Sequence, residues 1–215
     1  MKKFKTFSLI LLAVLLAVSA VACSAGSKSY KIVSHIGNEN LDFDELQLKK
    51  GNSFSATYVE EGDADGANFK MVASFNGKYK TSGDTLTCTL KSVSVKLEFP
   101  SAQAKSDFLE ALEEYKDYME KNQYEMYRDA AGKGYSKSIE EMIEIDNDIY
   151  TELVFKINKS AKTAVLLKET YADGESSEYE YYDEATGAIK KEIYKDADGD
   201  ISTWEYTEDG DFIYD

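Results

Sequence analysis

Between Thr85 and Phe99 apolar and polar residues alternate with a period of two, and no other stretch constrains the fold as strongly. Leu86, Cys88 and Leu90 stand between Thr85, Thr87 and Thr89, and Val93, Val95, Leu97 and Phe99 repeat the pattern between serine, lysine and glutamate. Successive side chains of a strand point to opposite faces, so such a run buries one face and wets the other. The same texture predicts strands over residues 30–36, 46–48, 54–59, 69–75, 78–81, 85–90, 93–99, 150–157 and 163–171. Turn chemistry separates them at Gly51-Asn52, residues 61–68 (EGDADGAN), Asn76-Gly77, Ser82-Gly83-Asp84 and Asn158-Lys159-Ser160. Asn-Gly between alternating runs is a strong hairpin signal, so Asn76-Gly77 is expected to reverse the chain. A single proline beside 16 Tyr and 10 Phe fits an ordered, aromatic-rich β protein.

One stretch has another period. After Pro100, with Ser101 or Ser106 as cap, Phe108, Leu112, Tyr115, Met119 and Met126 follow 3.6-residue spacing, with Asn122 the one polar break. This predicts an amphipathic helix inserted over 102–129, its outer face carrying Glu110, Glu113, Glu114, Lys116, Asp117, Glu120 and Lys121. Its apolar stripe is expected to cover one opening or face of the sheet. Residues 138–145 (SIEEMIEI) read as a second short helix or a strand.

The tail is different in kind. Glycines at 174, 187, 199 and 210 end the triplets ADG, ATG, ADG and EDG, and short aromatic runs over 178–182, 188–194, 201–206 and 212–214 lie between or after them. Residues 172–215 are therefore expected to form a β-meander, either continuous with the preceding sheet or a unit of its own. The pattern resembles the MORN-type and YD-type hairpin repeats of bacterial surface proteins.

At the other end, Lys2, Lys3 and Lys5 precede an apolar run over 7–21 broken only by Ser8 and Ser19. A spanning helix needs about 20 mainly apolar residues, and small polar residues follow this shorter run, so residues 1–22 read as a cleaved signal segment. The run ends Ala20-Val21-Ala22-Cys23, which resembles the bacterial lipobox. That resemblance implies cleavage after Ala22, lipid on the Cys23 sulfur and anchorage on the extracytoplasmic face of a membrane, with residues 23–29 as tether. An ordinary Ala-x-Ala signal releasing a secreted protein is the alternative.

Charge and inventory exclude several functions. The chain carries 25 Lys and Arg against 40 Asp and Glu, a net charge of -15, and signal removal takes away only lysines. Such a surface disfavours nucleic acid and polybasic contact with lipid headgroups. His35 is the only histidine and no G-x-S-x-G surrounds a serine, so nucleophilic triads are not expected. One His and one thiol do not complete a zinc site, and Cys88 reads as a small core residue. Residues 196–200 (DADGD) offer a weak calcium candidate in Asp196, Asp198 and Asp200, but Gly199, Ile201 and Thr207 fall where an EF-hand loop needs other residues, so a hairpin turn is the favoured reading. No cofactor is expected.

The body carries a resemblance of its own. LQLKKGNSFSATY (residues 46–58), NGKYKTSGDTLTCTL (76–90) and ELVFKIN (152–158) look like the lipocalin-like domains of lipoproteins of Gram-positive bacteria. This implies a mainly β fold over 30–171, an antiparallel barrel or strongly curved sheet around a small cavity. The functional expectation is a non-enzymatic, membrane-anchored protein that binds a small apolar ligand in the barrel or a partner on the meander. A structural or adhesin-like envelope component is the alternative, and it requires a tail dispensable for folding of the body.

Overall fold

The computed structural model describes residues 27–37, 39–41, 43–64, 66–145 and 149–213; the expected signal segment over 1–22 and Cys23 lie outside the described residues. In chain order the strands are β1 (Lys28–Ile32), β2 (His35–Ile36), β3 (Glu39–Asn40), β4 (Glu45–Lys49), β5 (Ser53–Ala64), β6 (Ala67–Ser82) and β7 (Thr85–Glu98). Helices α1 (Ala102–Tyr115) and α2 (Lys121–Ala131) follow, then β8 (Tyr135–Ser138), helix α3 (Ile139–Ile143), β9 (Tyr150–Asn158) and β10 (Thr163–Tyr171). The tail adds β11 (Ser176–Asp183), β12 (Ala188–Lys195) and β13 (Ile201–Glu205).

Seven strands close a barrel in the order β1-β4-β5-β6-β7-β9-β10, with β10 returning to β1. Each neighbouring pair along that path is antiparallel. An odd number of alternating strands leaves the first and last running the same way, so the seam is parallel, with Lys31 opposite Thr163 and Ile32 opposite Ala164. The expected barrel is present with this one parallel seam. Its lumen is filled: Leu46, Phe54, Ala56, Leu86, Cys88, Leu153, Phe155, Ala164 and Leu166 are all at most 1% exposed. Phe43 plugs one end, its ring 5.4 Å from Phe75, 5.5 Å from Tyr150 and 6.2 Å from Phe155.

Asn76-Gly77 does not turn the chain. β6 runs straight through it, and the β6/β7 register shifts there, with Asn76 opposite Ser92 and Gly77 opposite Leu90. The extra residue on β7 is a bulge. A Cβ on Gly77 would lie 2.0 Å from the Thr89 carbonyl oxygen and 2.8 Å from the Phe54 ring, so glycine is needed for close strand approach, not for a turn. The bulge also explains why the buried positions of β7 change from even (Leu86, Cys88, Leu90) to odd (Val93, Val95, Leu97). The two strands expected over 85–90 and 93–99 are one.

Beyond the bulge β7 leaves β9, whose pairing ends at Thr89, and takes β8 instead through Ser92–Val95. β5 likewise continues past its last β4 partner, Thr57, paired only with β6. The upper halves of β5, β6 and β7, with β8, thus extend past the barrel rim and present an apolar face that the helices cover. The helical insertion occupies its expected place but is divided. α1 begins at Ser101, whose Oγ accepts the Ala104 N–H at 3.0 Å, and buries Phe108, Ala111 and Leu112. A 3-10 turn (Lys116–Tyr118) and an extended Met119 then redirect the chain into α2, which buries Tyr124, Ala130 and Ala131. One helix over 102–129 would be about 42 Å long and would carry Asn122 on its buried stripe; the break leaves Asn122 exposed, avoiding the cost of burying an amide. Residues 138–145 resolve both ways at once: β8 runs directly into α3 through a capping box in which Ser138 and Glu141 satisfy each other's backbone N–H groups.

The tail is a meander, β10-β11-β12-β13, in the same sheet as the barrel. Gly174, Gly187, Gly199 and Gly210 all have φ between 85° and 97°, the left-handed turn geometry that glycine adopts without steric cost. From the last expected run, Phe212 forms a bridge to Tyr206.

Candidate functional site

Two apolar cavities lie between the extended sheet and its helical cover. The outer one, about 410 Å³, is lined by Ala64, Phe69, Phe108, Leu112, Met119 and Tyr127 among others. The inner one, about 390 Å³, is lined by Met71, Ala73, Val95, Met126, Met142 and again Tyr127, with Phe75 and Tyr150 at its base. The local sequence dictates the walls. Phe69, Met71, Ala73 and Phe75 are alternate residues of β6 and so share one face, while Phe108, Ala111 and Leu112 are one α1 stripe at helical spacing.

Aromatic contacts fix both ends. Around the outer cavity the Phe108 ring is 5.1 Å from Phe69, 5.3 Å from Phe99 and 6.3 Å from Tyr127. Below the inner cavity Phe75 and Tyr150 meet at 5.5 Å, and Tyr150 and Tyr171 at 4.9 Å, which seals the filled lumen. At the mouth Tyr118 is 87% exposed and Tyr115 51%. Among the described residues, Asp63 is the only charged one that lines either cavity, and its Oδ1 accepts the Gly66 N–H at 2.9 Å.

The apolar cavities therefore lie beside the barrel and not within it, because lumen side chains already close-pack the space expected to be hollow. Reading the sequence alone, Met119 and Met126 are helix stripe residues, and neither Met71 nor Met142 stands out. The four are every methionine after Met1, and all four line these cavities. No spacing in the sequence announces that convergence; it follows from the β7–β8 switch, which packs α3 on β7 and brings Met142 to the cavity that Met71 lines.

The other sequence candidates sit elsewhere. Asp196, Asp198 and Asp200 lie at the β12–β13 turn. There the Asp196 carboxylate accepts the Asp200 N–H at 2.8 Å and its carbonyl accepts Gly199 N–H at 3.1 Å. Among the described residues no three His, Cys, Asp or Glu side chains converge as metal ligands. His35 Nδ1 lies 2.8 Å from the Gly37 carbonyl, a local bond that positions the ring. Cys88 is fully buried, and burial, reinforced by the Glu152 charge, pushes its thiol up to about 12. A larger cleft of about 590 Å³ opens between the β9–β10 and β11–β12 turns. Its lining mixes Ile157, Ala164 and Val165 with Asp84, Asp183 and Lys156, and Lys156 is engaged by Glu184 at 2.6 Å.

No protein-family model matches the chain, and no curated protein is significantly similar to it.

Proposed function

We propose that the chain is a lipid-anchored, extracytoplasmic lipoprotein with a lipocalin-like barrel, and that it binds a small apolar ligand without catalysing a reaction. The observation that carries the binding role is the pair of cavities meeting at Tyr127, lined by apolar and aromatic side chains with Asp63 at the wall. Ligand sites are concave, mostly apolar and supplied with few polar groups. Methionine, unbranched and polarisable, suits a surface that adapts to its ligand.

The anchor reading rests on the Ala20-Val21-Ala22-Cys23 run. Lys28 emerges beside Tyr79, Thr81 and Lys159, at the turn end of the barrel. From Thr81 to the Phe69 wall of the outer cavity is twelve residues of β6, about 40 Å. A protein tethered through Cys23 thus holds its cavities on the side away from the membrane, open to ligands arriving from solution or from another protein.

The binding role is tested by titrating the mature chain with 1-anilinonaphthalene-8-sulfonate and with a small apolar probe such as naphthalene, in the native protein and in Ala111→Phe, which fills the outer cavity. Saturable naphthalene binding that Ala111→Phe weakens at least tenfold is the expected result; binding unchanged by the substitution overturns the site. Mass spectrometry of the membrane fraction tests the anchor, which an unacylated Cys23 refutes.

A further inference from the structure

The two cavities lie in series along one strand. Phe69 faces the outer cavity and Met71, Ala73 and Phe75 face the inner one, so the apolar path along β6 from Phe69 to Phe75 is about 20 Å. Tyr127 borders both. A compact ring system fills one such space; a path this long, lined by flexible thioethers, matches a chain that bends to follow it.

Charge at the mouth adds a second constraint. The joint between α1 and α2 carries Glu113, Glu114, Asp117 and Glu120. It carries two lysines, each beside an acid: Lys116 is 3.6 Å from Glu113 and lies 5.0 Å over the Tyr124 ring, and Lys121 is 4.0 Å from Glu125. With Asp63 on the cavity wall, five carboxylates stand against these two lysines, an excess of like charge that disfavours an anionic head group.

We infer that the site takes a single unbranched alkyl or acyl chain, laid along β6 through both cavities past Tyr127, with an uncharged or cationic head group at Tyr118 and Asp63. This assignment rests on the apolar-ligand reading above and names its class of ligand. The exposed rings of Tyr115 and Tyr118 flank the head group, where an aromatic ring has one apolar and one wet side.

The test is a calorimetric titration of the mature chain with octyl, decyl, dodecyl and tetradecyl maltoside below their micelle concentrations, and with dodecanoate. Affinity is expected to rise about fourfold per added methylene until both cavities are filled, and dodecanoate is expected to bind at least tenfold more weakly than dodecyl maltoside. Ala73→Leu, which narrows the inner cavity, should leave octyl binding within twofold and flatten the gain from longer chains. Tyr127→Leu, which widens the passage, should favour tetradecyl over octyl. A chain-length gain unchanged in both variants shows that the chain does not run through the inner cavity and overturns the assignment, as does dodecanoate binding as tightly as the maltoside. Naphthalene binding without any maltoside binding overturns the chain while leaving the apolar-ligand reading intact; loss of both overturns both.

Discussion

The hydroxyl of Ser34 accepts the backbone N–H of Leu166 at 2.8 Å, across the seam where the barrel closes. Ser34 follows β1, and its neighbour Val33 has just donated to the Ala164 carbonyl at 3.0 Å, so a side chain here continues a backbone ladder. Tyr181 of β11 completes a ring of three bonds: its hydroxyl is 2.8 Å from Ser34 Oγ and also bonds the Leu166 carbonyl. A carbonyl can only accept, so Tyr181 donates to Leu166 and takes the Ser34 proton. Burial, the dominant influence, raises the Tyr181 pKa and keeps the phenol protonated. The ring sits where β10 passes from one partner to another. Its Thr163–Ala164 end pairs with β1 and its Lys168–Thr170 end with β11, and the bulge at Leu167 divides the two.

Ser34→Ala leaves the buried Leu166 N–H without an acceptor and is expected to cost about 1–3 kcal/mol. Urea unfolding should show a lower midpoint at unchanged slope. A loss below about 0.5 kcal/mol, the scale of an inconsequential surface change, would show that the seam does not depend on this ring.

The same ring ties the tail to the barrel. His35 N–H donates to the Gly187 carbonyl at 2.9 Å, and the hydroxyl of buried Tyr179 bonds buried Glu169 of β10 at 2.7 Å. Deleting residues 172–215 uncovers Glu169, Ser34 and Leu166 together, and is expected to abolish cooperative unfolding of residues 27–171 by circular dichroism. A truncated chain that melts like the whole would favour a modular tail, as the envelope-component reading requires.

Gly77→Ala forces a Cβ against the Thr89 carbonyl and the Phe54 ring, neither of which can withdraw without moving a strand. Its expected cost is at the upper end of the about 1–3 kcal/mol typical of overpacking. Lys80→Ala, at an exposed position of the same strand, is the control. Equal midpoints for the two variants would contradict a bulge that depends on glycine.

Much of this was legible in the sequence, and the failures have physical causes. The period of two located the strands, and the glycines that end the tail's ADG, ATG and EDG triplets do sit at its turns, in left-handed geometry. Asn76-Gly77 misled because a glycine required by a close carbonyl looks, in one dimension, like a glycine required by a turn. The parity change between Leu90 and Val93 was the available signal, since one inserted residue flips every later side chain to the other face. The helix break at Met119 was foreshadowed by Asn122, the polar interruption of the stripe. The cavities were not legible: they depend on which strand end the helices cover, a long-range fact that local periodicity does not contain.

With its thiol raised to about 12, Cys88 holds on the order of one part in ten thousand as thiolate at pH 8. In a Cys23→Ser chain, where Cys88 is the remaining cysteine, alkylation by iodoacetamide should proceed only as fast as the barrel opens and should accelerate sharply at the urea midpoint. Rapid labelling of the native protein would contradict a lumen closed by side chains.

Glu141 carries a pH dependence of definite sign. Its carboxylate accepts the Ser138 N–H at 2.9 Å and bonds the Ser138 hydroxyl, which holds its pKa below the ordinary carboxylate range. The stabilisation is present above the unfolded carboxylate pKa and is lost as pH falls through the lower folded value. Glu141→Gln should therefore flatten that portion of the acid limb of the stability curve and leave the alkaline limb unchanged. An acid limb identical in both proteins would show that the capping box does not hold α3.

Met71, Met119, Met126 and Met142 give a direct report on the cavities, because after removal of Met1 they are the chain's only methionines and all line the proposed site. In a sample labelled with ¹³C at the methionine methyls, titration with dodecyl maltoside below its micelle concentration should shift all four resonances along one saturable curve, with Ala111→Phe raising the half-saturation concentration at least tenfold. Four resonances that stay still while the ligand binds elsewhere, or that move linearly without saturation in both proteins, would contradict an apolar-ligand site beneath the helices.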